Sequence, residues 1–166
     1  LQGKGREDIT TFICELAQIM LGLADVEKTV EEVREQLTNG AALKKFEAMV
    51  VAQGGDLEDL YRPSSAVHIV DVKAEQAGYI TELPAMEFGL FAMRLGAGRA
   101  VKSDDLDYET GIVFEKKVGD KVEIGEVFAK IYSNEKISQE LVTDFQKNVK
   151  IGDESVAVSE IIEVIA

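Results

Sequence analysis

The chain is short of several residue types that most chemistry depends on. It has one cysteine, one histidine, two prolines and no tryptophan in 166 residues. With Cys14 alone, no internal disulfide can close, and a single thiol suits a reducing compartment. One Cys and one His cannot build a zinc centre of the usual nitrogen–sulfur type. No apolar run approaches the ~20 residues a membrane-spanning helix requires. No basic-plus-apolar leader opens the sequence. Cations are the scarcer sign, 18 Lys and Arg against 31 Asp and Glu, for a net charge of −13. That balance repels phosphate backbones and anionic bilayers, so neither nucleic acid nor membrane is expected as a partner, and a cytoplasmic location is expected.

What remains is an ordinary globular composition, 46% hydrophobic and 30% charged. It supports one domain or two small units. The first third reads as helical. Ile9, Phe12, Ile13, Leu16, Ile19, Met20 and Leu23 fall on one stripe, with Asp8 as the expected N-cap. Asp25 is expected to cap a second helix carrying Val26, Val30, Val33 and Leu37 inward, ended by Asn39-Gly40. A third helix presents Leu43, Phe46, Met49 and Val50 and stops at Gly54-Gly55. Short amphipathic helices with tight joints predict antiparallel packing.

Residues 56–66 change character around Pro63-Ser64-Ser65, and a domain boundary is expected there, giving units 1–66 and 67–166. Beyond it the pattern is mixed. Strands are predicted over 67–73, 78–83, 112–116, 121–124 and 126–132, with turns at Gly119-Asp120 and Gly125 that make a β-hairpin-rich sheet. Helices are predicted from Pro84 to Gly96 and over 136–149. Residues 156–165 are apolar enough for a final strand or a short helix. The fold class is therefore α+β: an N-terminal helical segment followed by a mixed C-terminal domain.

Chemistry is harder to find. Gly96-Ala97-Gly98 invites a nucleotide-loop reading, but that fingerprint needs a strand before the glycines and a helix after them. Here a helix precedes, and an acidic loop with Asp104, Asp105 and Asp107 follows. A helix C-cap and close turn is the better reading, with Arg99 in a local ion pair. His68 sits in a predicted strand without a partner nucleophile and reads as structural. Cys14 borders the apolar stripe and reads as packing. Gly3-Lys4-Gly5-Arg6 lacks the spacing and the Ser/Thr of a phosphate loop. No catalytic, substrate-binding or metal-ligating residue stands out, and no cofactor is expected in these residues.

Two stretches carry a resemblance. LTNGAALKKFEAMVVAQGGD, residues 37–56, resembles the helix and glycine turn near the end of the catalytic α/β domain of pyrimidine-nucleoside phosphorylases. AGYITEL and LGAGRAVKSDDLDYETGIVFEKKVGDKVEIGEVFAKIYSN resemble their C-terminal domain, which is close to that of thymidine phosphorylases. LQGKGREDIT is similar to the segment entering the last helical stretch. The resemblance implies a parent enzyme that splits a pyrimidine nucleoside with phosphate into the free base and a pentose 1-phosphate. It further implies a homodimer, phosphate as co-substrate and, in many members, a potassium ion held outside these residues. The family's lysine–serine phosphate motif and its base-binding arginine and lysine are not found here. Because the chain opens at Leu1, it is expected to be a C-terminal fragment whose partner is the missing catalytic portion, inactive alone. Gly96, Gly98 and Arg99 are its candidate closure loop. Two competing readings remain: a free-standing interaction module, or an unmodified biotinyl- or lipoyl-carrier-like domain. The latter is suggested by the VxVGDxVxxGxxFxxI pattern but lacks the Met-Lys-Met tip. The apolar faces around Phe12, Leu16, Met20 and Phe46 are expected to need a covering partner.

Overall fold

The computed structural model describes residues 1–99 and 101–157. It comprises two compact units, one spanning Leu1–Pro63 and the other beginning at Ser64.

The first unit is helical: α1 (Glu7–Leu23), α2 (Val30–Thr38), α3 (Ala41–Ala52) and α4 (Leu57–Tyr61). Arg34 of α2 reaches the start of α1, donating to Glu7 and to Thr11 Oγ1 at 2.9 Å. Gln18 near the other end of α1 donates to the Lys28 carbonyl at 2.9 Å. These two ties fix α1 and α2 as antiparallel neighbours, as expected. The start positions differ from expectation. Asp8 lies inside α1, where an acid favours the positive end of the helix dipole, and Arg6 occupies the cap position. Asp25 closes the turn after α1 with φ of 57°, and α2 starts five residues later, behind Thr29. Thr29 and Glu32 form a reciprocal capping box that satisfies two end amides at once, which an aspartate at position 25 cannot do. Helix α4 was not anticipated. Asp56 caps it, accepting from the Glu58 amide at 2.8 Å, and Tyr61 donates to Glu47 of α3 at 2.5 Å. Among the described residues, Cys14 is the one fully buried hydrophobic residue of this unit.

The second unit is α+β, as expected. Its elements are β1 (His68–Lys73), β2 (Gly78–Glu82), α5 (Ala85–Ala92), a π-helical turn (Met93–Ala97), β3 (Gly111–Phe114), β4 (Lys121–Val122), β5 (Val127–Ser133), α6 (Gln139–Lys147) and β6 (Lys150–Gly152). The strands form two antiparallel sheets, ordered β1-β5-β3 and β4-β2-β6. This corrects the expected local hairpins. β4 and β5, adjacent in sequence, lie in different sheets, and β2 pairs both β4 and the unanticipated β6. The physical reason is burial. Val122 and Phe128 are both inside, so the chain turns between sheets at Gly125 and does not fold back on itself. The expected element over 156–165 lies outside the described residues except for positions 156 and 157, which are in no regular element.

The core joins both sheets to both helices through Val72, Ile80, Phe88, Phe91, Val122, Phe128, Ile131, Val142 and Phe145. Phe145 is its centre. Its ring lies 4.8 Å from Phe88 and 5.0 Å from Phe91, the latter edge-on, with Phe114 and Phe128 stacked beyond. Ser138 caps α6, accepting from the Leu141 amide at 3.2 Å, and so fixes the register that brings Phe145 inward.

Candidate functional site

Helix α5 buries Phe88 and Phe91 and then widens into the turn Met93–Ala97, where the glycine loop begins. Gly96 adopts φ of 105°, a conformation that L side chains rarely take. Gly98 is extended and packs against Met93 so closely that an added Cβ would lie 3.1 Å from the Met93 Cβ. The first glycine supplies the bend, and the second supplies the close approach. Arg99 follows directly, exposed. It makes no hydrogen bond or ion pair among the described residues, so the expected local ion pair with the acidic loop is corrected. The neighbouring carboxylates are turned to other tasks. Asp104 accepts from the Val101 amide at 2.9 Å, and Asp107 is committed to the sheet.

Asp107 is the hub of this region. Its carboxylate accepts from the Thr110 hydroxyl at 2.7 Å, from the Glu109 amide at 3.0 Å, and from the Asn134 side-chain amide at 3.1 Å to each oxygen. Its own amide donates to the Gly96 carbonyl at 3.0 Å, joining the two limbs of the loop. Asn134, just past β5, uses its carbonyl oxygen to accept from the Val67 amide at the entry to β1. Next to it, Glu109 accepts from the Ser64 hydroxyl at 2.8 Å and the Ser65 amide at 2.7 Å. Hydrogen bonds from Thr110, then Glu109 and Asn134, hold the Asp107 carboxyl below its ordinary value, so it is ionised at neutral pH.

The other residues weighed from sequence lie apart from this network. His68 opens β1 in register with Ser133, and Cys14 is buried inside the helical unit. Sequence reasoning did not anticipate the network that joins Asp107 and Asn134. One signal was present: Asp-x-x-Thr is the local pattern by which an aspartate closes a turn on its own backbone and on a hydroxyl. What the arrangement offers is a cationic side chain on an anchored arm. It contains no nucleophile–base pair, and no cluster of three metal-ligating side chains occurs among the described residues.

Within the helical unit, a groove of about 520 Å³ is lined by Leu1, Ile9, Ile13, Leu37 and their neighbours, with Glu7 and Arg34 at its edge. It continues the exposed face of α1, where Ile9, Ile13, Leu16, Met20 and Leu23 recur at alternating four- and three-residue steps.

Comparison with known proteins places these features. A family model described as the pyrimidine nucleoside phosphorylase C-terminal domain matches residues 79–152. Pyrimidine-nucleoside phosphorylases of Staphylococcus aureus strains USA300 and NCTC 8325 / PS 47 are each 38% identical over 164 residues, covering 95% of this chain. The protein of that name from strain bovine RF122 / ET3-1 matches to the same extent. The chain spans 38% of the length of these curated relatives.

Proposed function

We propose that this chain carries the C-terminal domain of a pyrimidine-nucleoside phosphorylase and is the accessory part of such an enzyme. The whole enzyme cleaves a pyrimidine nucleoside with phosphate, releasing the base and a pentose 1-phosphate. Residues 1–66 complete the catalytic α/β domain, and the C-terminal domain braces it. Phosphate is the co-substrate, and any potassium ion is held outside these residues. The enzyme is a cytoplasmic homodimer.

The partner is the catalytic portion of the same enzyme. The relatives extend far beyond the stretch this chain matches, and the heptad-like face of α1 is exposed along its length. Such a face on a helix needs a complementary apolar surface.

Glycosidic cleavage builds positive charge on the sugar, so water must be excluded and charges placed well before reaction. Closing a cleft between rigid parts achieves both. The glycine loop contributes to that closure, with Arg99 as a latch to a carboxylate across the cleft. The observation that carries this reading is Arg99 itself: exposed, unpaired among the described residues, and one position beyond the packed Gly98. In the full-length enzyme, Arg99→Ala should lower kcat/KM by about tenfold, the scale of one charge-assisted contact. Unchanged kinetics would remove the latch. Phosphorolysis of uridine or thymidine by the 166-residue chain alone would overturn the accessory role.

A further inference from the structure

We propose that Asp107 is the clasp of the glycine loop, a positioning residue whose carboxylate determines where Arg99 is presented. The proposal rests on the reading of Arg99 as a latch, and it adds what holds that latch in place.

The argument begins with complementarity. An ionised carboxylate only accepts hydrogen bonds, and its three hydrogen-bond partners donate to it: the Thr110 hydroxyl, the Glu109 amide and the Asn134 side-chain amide, which together outweigh repulsion from the Glu109 carboxylate. An asparagine there would set its own NH2 against the Asn134 NH2, which faces both oxygens. The same residue holds the other limb of the loop through its amide to the Gly96 carbonyl. One residue thus joins three places: its backbone amide holds the bend at Gly96, and its carboxylate holds Thr110 at the start of β3 and Asn134 at the end of β5. Asn134 in turn holds the amide of Val67. From the pinned carbonyl of Gly96 to Arg99 the arm is short, and Gly98 packed on Met93 leaves it little slack. A charged group on a fixed arm loses less freedom when it engages its target.

The test has two parts. In the 166-residue chain, hydrogen exchange is followed for wild type, Asp107→Asn, Asn134→Asp and the double exchange. Amides at 96–99 and 101–107 should exchange about tenfold faster in Asp107→Asn, on the scale of one lost charge-assisted bond, while those of Ala129 and Ile131 stay protected. The double exchange restores a donor facing an acceptor and should recover slow exchange. Unaltered loop exchange in Asp107→Asn overturns the clasp. So does faster exchange spread equally through β5 in both single variants, because that marks a fold-wide role.

In the full-length enzyme, Asp107→Asn should reduce kcat/KM in the wild-type background and have no further effect in Arg99→Ala. An equal loss in both backgrounds overturns positioning through Arg99. A silent Arg99→Ala defeats the latch reading alone, and the exchange experiment still decides the clasp.

Discussion

The two units contrast in how they hold themselves together. The second has a continuous core in which four phenylalanines meet around Phe145, drawing on both sheets and both helices. The first has a fully buried cysteine and little else, and its hydrophobic surface faces outward along α1. What fixes it is largely polar: the Thr29–Glu32 capping box, Arg34 on Glu7 and Thr11, and Tyr61 on Glu47. Exposed contacts of this kind are individually weak. The difference teaches that the boundary separates a unit with a core of its own from one whose apolar residues lie largely on its surface. That agrees with a family domain recognised only within the second unit.

The contrast can be tested most severely at Phe145. Phe145→Ala should destabilise the second unit by about 3–5 kcal/mol, the usual cost of removing a buried ring. Denaturant unfolding followed by exchange at β5 would show this, and α1 amides should be unaffected. A loss of under about 1 kcal/mol would mean that the ring cluster is not the core. A smaller effect is expected on α1, and it should depend on context. In the 166-residue chain, Leu16→Glu should change stability by no more than about 0.5 kcal/mol, as surface substitutions do. In the full-length enzyme the same change should cost at least about 2 kcal/mol by burying a charge. Equal effects in the two settings would show that the α1 face is not a covered surface.

The smallest effect concerns pH. Asp107 is held below its ordinary value of 3.8 by its three donor partners. A carboxyl depressed in the folded state adds stability above its unfolded pKa and loses it as pH falls through the folded value. Loop protection, corrected for intrinsic exchange, should therefore stay level from pH 7 to about 5 and decline only in acid below 3.8. A decline beginning above pH 5 would contradict the hydrogen-bond account.

The features legible in the sequence were those with a local cause. Helix faces repeat every three or four residues, so α1 to α3 and α5 could be read directly, and the stretch 136–149 gave α6 in the same way. Helix α4 escaped because five residues give barely more than one turn of periodicity. Strand pairing escaped for a different reason. Turns at Gly119 and Gly125 suggest folding back, yet which strand lies alongside is decided by core packing between distant segments, such as Ile80 with Ile151. The candidate site divides in the same way. Gly96, Gly98 and Arg99 are visible as a motif, and the Asp107–Thr110 turn has a local signature. The tether to Asn134 crosses 27 positions and has none.

The sheet order has one more consequence. No two strands adjacent in sequence are paired within the described residues: β1 waits for β5, and β2 waits for both β4 and β6. During synthesis, residues 78–82 have no complete sheet to join until residue 152 has left the ribosome. Every closure in this domain spans a long loop, and domains built from long-range contacts fold slowly. The helical unit lies N-terminal to this domain, so it leaves the ribosome before either sheet can be completed.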